Sequence, residues 1–269
     1  MVIDGTLGFL GFGNMGEAIA KGLIEKDVIA AASAFVYDAD PAKRGRTATL
    51  GIRWAEDPAD LAMQSDALLL AVKPQSMDEA LAQIKPGLTA RTLLVSIAAG
   101  LPIRYFKDRL GSQMRVVRAM PNTPALVGAG ATGYALCERC TEADAATAQA
   151  LFAAVGIAER FSEERIDAVT ALSGSGPAYF FYMVECLVNA AVELGMSEAQ
   201  AATFAQQTLL GSGRLLVESG ESAAQLRMKV TSKGGTTEAA LKRFQEDGFN
   251  ALIGAGVEAA FQRARELGR

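Results

Sequence analysis

The 269-residue sequence contains no histidine, only three cysteines and one tryptophan, and 7% aromatic residues. Without imidazole the commonest general acid and base near neutral pH is missing, so serine–histidine and cysteine–histidine catalysis are excluded. Any proton the chain moves must come from Lys, Tyr, Ser, Thr, a carboxyl group or water. Cys137 and Cys140 are spaced CxxC. With no second pair and no histidine to complete a tetrahedral set, a pair of reduced thiols is the simpler reading and no metal is expected. The formal net charge of -4 comes without a basic stripe, which removes the electrostatic footprint of a nucleic-acid binder. Apolar stretches such as Ala67–Val72 fall far short of a membrane span, and the opening Met1-Val2-Ile3-Asp4-Gly5 lacks the basic segment of a signal peptide. A cytoplasmic protein without a membrane partner is the expectation.

Half of the residues are hydrophobic, enough for two compact domains. From Thr6 to about Arg160, short apolar runs alternate with helix-like stretches, the pattern of βαβ units winding a mostly parallel sheet. The expected strands are Leu7–Leu10, Ala34–Tyr37, Ala67–Val72, Leu93–Ile97 and Val116–Met120. They are almost unbroken in apolar character, as strands buried on both faces should be. Glu17–Lys26, Pro41–Leu50, Met77–Ile84 and Ile103–Leu110 are the expected helices between them. Beyond Ser162 no convincing strand remains and helix-forming residues dominate. The division is therefore an α/β domain over 1–160 and an all-α domain over 161–269. Within the latter, Ile166–Leu194 is apolar all round and interrupted by Gly174, Gly176 and Pro177. A helix without a polar face must be covered, and a second subunit is expected to cover it. Ser197 with Gln200 and Ser222 with Gln225 have capping-box spacing and mark two later helix starts.

Gly11-Phe12-Gly13-Asn14-Met15-Gly16 follows the first strand and opens the first helix, the context in which G-x-G-x-x-G binds a dinucleotide. Gly11 allows the tight turn, Gly13 lets the backbone approach a pyrophosphate, and Gly16 lets the helix sit close to the sheet. The helix start itself presents free amides to the anion. A Rossmann-type, doubly wound fold with a nicotinamide cofactor follows. Asp38 ends the second strand, where an acidic side chain accepts from a ribose 2′-hydroxyl, which leans toward NADH. Lys43, Arg44 and Arg46 lie just beyond and suit a 2′-phosphate, so NADPH or NADH stays open. Ala71-Val72-Lys73-Pro74 closes another strand on the same rim, Lys73 being either a cofactor contact or an exposed turn lysine. Ala98 in Ser96–Gly100 and Asn122 in Met120–Pro124 add small residues and an amide to that rim.

In the second domain, Val230-Thr231-Ser232-Lys233-Gly234-Gly235-Thr236-Thr237 leads into an amphipathic helix. It reads as a second anion-binding helix start, where the Gly234–Thr237 amides and the Ser232 and Thr236 hydroxyls hold a carboxylate, or as a plain N-cap with a flexible lead-in. Ser173-Gly174-Ser175-Gly176-Pro177-Ala178-Tyr179 is either a helix kink in a subunit interface or, through Ser175, a wall of a substrate pocket.

Taken in order, Gly11–Gly16, Ala71–Pro74, Met120–Pro124, Ser173–Tyr179 and Val230–Thr237 resemble the pyrroline-5-carboxylate reductase family across nearly the whole chain. The SGSGPAY and VTSKGGTT blocks are the specific ones. The resemblance implies reduction of Δ1-pyrroline-5-carboxylate to L-proline, the last step of proline biosynthesis, with hydride from NADPH or NADH. It also implies a helical dimerisation domain, dimers assembled further into decamers, Ser232, Gly235 and Thr236 as carboxylate binders, and Thr237 as a hydroxyl near the ring nitrogen. Hydride attack on a cyclic imine needs a positioned donor and a proton source, not a histidine. Two positions depart from the family pattern. Lys229 stands where many relatives have an amide side chain, and Asp38 where many have a small or basic residue. The competing readings are a β-hydroxyacid-type dehydrogenase, with Lys229 or Lys233 as acid–base lysine, and a non-catalytic nucleotide-sensing oligomer.

Overall fold

The computed structural model describes residues 3–268; Met1 and Val2, part of the opening read above for a signal segment, lie outside the described residues. The chain divides into two compact units, one running to Ser175 and including the segment from Ala260, the other Gly176–Ala259.

The first unit holds β1 (Leu7–Leu10), α1 (Asn14–Glu25), β2 (Ala34–Tyr37), α2 (Arg44–Thr49), β3 (Arg53–Trp54), α3 (Pro58–Met63), β4 (Ala67–Leu70), α4 (Met77–Ile84), β5 (Leu93–Ser96), α5 (Ile103–Leu110) and β6 (Arg115–Met120). It continues with β7 (Gly130–Leu136), α6 (Glu142–Ala153), β8 (Gly156–Arg160) and α7 (Ile166–Val169). The strands form one sheet in the order β3-β2-β1-β4-β5-β6-β7-β8, parallel except for the antiparallel pair β6 and β7. Successive side chains of a strand alternate between faces. Leu7, Phe9, Leu69 and Val95 accordingly fill one core layer, and Leu10, Leu68, Leu70 and Leu94 the other. Helices cover both faces, which is why these strands read as continuous apolar runs.

The winding reverses between β1 and β4, since the chain passes from β1 outward to β2 and β3 and then returns to β4 on the other side. Ligands of open α/β sheets bind in the crevice beyond the carboxyl ends of strands at such a point. Gly11 follows β1 there and Ala71 follows β4, their backbones tied by the Ala71 amide donating to the Leu10 carbonyl at 2.8 Å.

The main differences from the sequence expectation concern elements without a strong periodic signal. β3, β7 and β8 were not expected: β3 has two residues, and Gly130-Ala131-Thr132-Gly133 opens β7 with little β-branched bulk. The alanine-rich α6 spreads small residues around its whole circumference, which erases the helical period, but Thr141 and Asp144 close a capping box at its start. Two strands expected to reach Val72 and Ile97 stop at Leu70 and Ser96. Helix α1 begins at Asn14 rather than Glu17, so the last glycine of the turn is already helical.

The second unit is helical: α8 (Gly176–Glu193), α9 (Glu198–Glu218), α10 (Ala223–Lys229), α11 (Thr236–Glu246) and most of α12 (Phe249–Leu267). The expected capping boxes are formed, Ser197 accepting from the Gln200 amide and Ser222 from the Gln225 amide. Large apolar side chains stay exposed on these helices, among them Phe181 at 65%, Leu210 at 57% and Leu252 at 69%. The interruption expected within Ile166–Leu194 at Gly174, Gly176 and Pro177 is present: α7 gives way to a π-helical turn, Thr170–Gly174, before α8 starts at Gly176. Among the described residues, no helix is long and apolar enough to cross a membrane.

Candidate active site

The three glycines of the turn stand in different surroundings, two of them crowded and one open. Gly11 has φ +94°, and a Cβ there would lie 2.9 Å from the Ala71 carbonyl oxygen. At Gly16 a Cβ would come within 2.7 Å of the Gly11 carbonyl oxygen, so α1 can press onto the turn only without one. Gly13 meets nothing within 4 Å of its would-be Cβ and faces open space. It is also the N-cap of α1, extended and without a side-chain cap, so the first-turn amides at Asn14, Met15 and Gly16 keep their donor capacity. Phe12 turns inward, buried edge-to-face against Phe9 at 6.4 Å, and serves the turn through its backbone.

Asp38 fastens this turn to the end of β2. Its Oδ2 accepts from the Phe12 amide at 2.6 Å and from Lys43 Nζ at 2.8 Å, and its Oδ1 from the Asp40 amide at 2.9 Å. Burial, the largest single influence, pushes the carboxyl up, but the hydrogen bonds from Lys43, Phe12 and Asp40 and the Lys43 charge outweigh it and hold Asp38 below the ordinary carboxylate range. The other two basic side chains of the segment are engaged as well. Arg46 pairs with Glu17 at 2.8 Å, and the Arg44 guanidinium lies 5.3 Å from the Trp54 ring centroid.

A cleft of about 370 Å³ brings Gly11, Gly13, Asp38, Ala71, Val72 and Lys73 together. Lys73 is exposed at its edge, and Pro74 starts the short 3₁₀ turn that follows. The same cleft is lined by Tyr37, Ala39, Lys43, Ser76, Glu79, Ala80 and Gln83. Glu79, Ala80 and Gln83 share one face of α4 by i, i+1, i+4 spacing, a signal present in the sequence but without meaning until α4 is placed beside the turn.

Ala98 and Asn122 are not among the residues lining this cleft. Ala98 is buried, its amide bound to Ser96 Oγ at 3.3 Å. Asn122 is buried with both ends of its amide engaged, Nδ2 donating to the Ser173 carbonyl at 3.1 Å and Oδ1 accepting from the Ala131 amide at 2.8 Å. The Asn122 side chain thereby ties its own loop to Ser173 and to Ala131. Arg118, which the sequence did not single out, adds to this anchorage: buried in β6, it pairs with Asp167 of α7 at 2.5 Å and with Glu163 at 3.7 Å. Gly174 lies so close to Met120 that a Cβ would meet its Cε at 2.5 Å. The end of β6 therefore holds the π-helical turn that leads to Ser175, whose amide donates to the Thr170 carbonyl at 2.8 Å. π-helical turns of this kind are frequent at functional sites.

In the helical unit, the loop after α10 turns through Gly234, φ +73°, into α11. Its N-cap is Gly235, again extended and without a side-chain cap. A Cβ on Gly235 would lie 2.4 Å from Ser232 Oγ, so the Ser232 hydroxyl sits directly against the helix start. Thr236 and Thr237 form the first turn, Thr237 half-buried. One expected donor is lost: the Gly234 amide is taken by Glu238 Oε2 at 2.7 Å, because the side chain three positions past the N-cap folds back onto the loop. A groove of about 620 Å³ includes Gly234 and Gly235, whereas Ser232, Thr236 and Thr237 are not among its lining residues. Lys229 pairs with Glu221 at 2.6 Å.

The cysteines Cys137 and Cys140 stand with their sulfurs 3.5 Å apart at the end of β7. Their shared hydrogen bond pulls Cys137 down and pushes Cys140 up. Among the described residues no group of three or more His, Cys, Asp or Glu could hold a metal ion.

Two family models match separate parts of the chain. A family model described as pyrroline-5-carboxylate reductase dimerisation matches residues 163–267, and one described as NADP oxidoreductase coenzyme F420-dependent matches 6–100. The pyrroline-5-carboxylate reductase of Methanosarcina acetivorans is 39% identical over 264 residues, 98% of this chain and 98% of that protein. A solved pyrroline-5-carboxylate reductase from Coxiella burnetii superposes with a TM-score of 0.93 at 35% identity, covering 99% of this chain and 100% of that one. The Plasmodium falciparum pyrroline carboxylate reductase with NADP bound superposes at 0.88 with 32% identity, covering both chains completely. With the glycine turn, the SGSGPAY turn and the VTSKGGTT helix start all in place, and likeness extending over the full length, the chain belongs to the pyrroline-5-carboxylate reductase family.

Proposed function

We propose that the chain reduces Δ1-pyrroline-5-carboxylate to L-proline with NADPH or NADH, the last step of proline biosynthesis. The observation that carries this reading is a pair of helix starts, at Gly13 and at Gly235, each left without a side-chain cap beside glycine. Such starts attract anions through free amides and the helix dipole. The open space at Gly13 fits a pyrophosphate that must approach the backbone closely.

NAD(P)H, when bound, supplies the hydride. The chain holds it through Gly11, Phe12, Gly13, Asn14, Met15 and Gly16, with Asp38 toward the ribose and Ala71–Pro74 along the cleft. Ala98, after β5, and Asn122, after β6, complete that rim. In the helical unit the Thr236 and Thr237 amides, the Ser232 hydroxyl and the close backbone at Gly234 and Gly235 receive the substrate carboxylate. Ser175 belongs to the wall of the substrate pocket. A cyclic imine is already electrophilic once protonated, so the Thr237 hydroxyl needs only to orient the ring nitrogen or relay its proton, and positioning supplies much of the acceleration. The division of labour follows the chain, residues 1–160 binding nucleotide and 161–269 binding substrate and a second subunit. Exposed apolar faces on α8 and α9 support a homodimer through the helical domain, with dimers assembled into a decamer. The free cysteines accord with a cytoplasmic location.

The β-hydroxyacid alternative draws no support here, because Lys229 is held by Glu221 and Lys233 is exposed on the loop. The test follows NADPH and NADH oxidation with pyrroline-5-carboxylate in wild type and Thr237→Ala. A fall in kcat is expected in the variant, and unchanged kcat and KM would remove Thr237 from the mechanism.

A further inference from the structure

We propose that Asp38 determines nucleotide specificity in this enzyme and sets it in favour of NADH over NADPH. The inference rests on the glycine turn being the nucleotide site, as proposed above, and adds which nucleotide that site selects.

The position of Asp38 is fixed from two sides. The Gly11 amide donates to the Tyr37 carbonyl at 2.8 Å, and the Phe12 amide donates to Asp38 itself, so the end of β2 and the glycine turn form one hydrogen-bonded unit. Two of the three donors on the carboxylate are backbone N–H groups, which cannot swing away to make room for another anion. The Asp38 side chain is only 10% exposed. A carboxylate offers about four lone-pair sites, and three donors leave one for a ribose 2′-hydroxyl, which has a proton to give. A 2′-phosphate has none to spare at neutral pH and carries nearly two negative charges, so it meets the same carboxylate as repulsion.

A phosphate would need an arginine or lysine to offset that repulsion, and the segment carries three. Lys43 is bound to Asp38, Arg46 to Glu17, and Arg44 lies against Trp54. Recruiting Lys43 would strip Asp38 of its charge partner while adding an anion beside it. Glu79 adds a further carboxylate to the lining of the cleft. The cleft is therefore complementary to a hydroxyl and anticomplementary to a phosphate, which is how specificity is set by repulsion as well as attraction.

The test is equilibrium binding without pyrroline-5-carboxylate, following NADH and NADPH fluorescence, with 5′-ADP and 2′,5′-ADP as competitors. Wild type is expected to bind NADH about tenfold or more tighter than NADPH. Asp38→Asn keeps an oxygen to accept from Phe12 while removing the charge, and should close most of that gap chiefly by tightening NADPH. Melting temperatures without nucleotide check that the variant stays folded, and Asp38→Ser repeats the test if it does not. Tighter NADPH binding by wild type, or equal weakening of both nucleotides by Asp38→Asn, would overturn the proposal. So would a selective loss of NADPH binding in Lys43→Ala, which would show the lysine serving a phosphate. Failure to bind either nucleotide would sink the reading of the turn along with it. Nucleotide discrimination without turnover of pyrroline-5-carboxylate would sink the reaction and leave Asp38 standing.

Discussion

The two units of this chain hold the same local device with opposite resources. Both present a helix start capped by a bare glycine, Gly13 on α1 and Gly235 on α11. In the first unit that start is braced from below: a Cβ on Gly11 or Gly16 would strike backbone, and α1 buries Ile19, Ala20 and Leu23 in a core layer of the sheet. In the second unit α10 and α11 bury no residue, and the loop before α11 holds itself with local hydrogen bonds from Gly234 to Glu238 and from Gly235 to the Ser232 carbonyl. A doubly covered sheet braces a helix start within one chain. A layer of helices with exposed apolar faces has too little interior of its own, so its order depends on what covers those faces.

Charging that exposed surface should produce the largest effect. Leu210→Glu with Val217→Glu, seven residues apart on α9 and both exposed, leaves the chain's own packing intact but buries unpaired charge in any subunit interface there. Association is expected to weaken by about 100-fold or more, read by sedimentation, with turnover lost in parallel. An undisturbed oligomer would locate the interface elsewhere and break the contrast between the units.

The glycines sharpen the contrast at a smaller scale. Gly16→Val drives a side chain into the Gly11 carbonyl, and should lower stability by about 1–3 kcal/mol and abolish NADH binding. Gly13→Ala has free space, so melting should shift by less than about 1 kcal/mol while NADH affinity drops. Equal melting losses in the two would refute the division into structural and ligand-facing glycines. Gly235→Ala clashes with the movable Ser232 hydroxyl and sits tightly, at 3.1 Å, against the Ser232 carbonyl oxygen. A rise in KM for pyrroline-5-carboxylate, roughly tenfold, with NADH affinity unchanged, is expected from blocking a single carboxylate donor set. Ser222→Ala, at a helix that is properly capped, should have the least effect, about 1 kcal/mol of stability with both KM values unmoved. A change in either KM would mean that the α10 cap also serves the site.

Much of this architecture was legible in the sequence. The glycine turn follows an unbroken apolar strand, and Gly11 and Gly16 stand where a side chain would strike backbone, as a tight turn and a closely packed helix require. Both capping boxes form as the spacing of Ser197 with Gln200 and Ser222 with Gln225 requires. These features are local, set by residues three to five positions apart, and a linear pattern records them. Strand β7 left no such pattern and helix α6 only its Thr141–Asp144 cap, since small residues suit many conformations and their neighbours decided the outcome.

The sequence by itself determined the order of the units, the location of the two bare helix starts and the absence of any histidine chemistry. Only the tertiary structure decided what individual side chains do there. Asp38 meets Phe12 across 26 positions, Asn122 meets Ser173 across 51, and Arg118 reaches Asp167 across 49. Residue type made each of them a candidate ligand or an unremarkable charge. A polar group confined away from water takes whichever partners the fold brings within hydrogen-bonding distance, and those distances exist only once the sheet is closed.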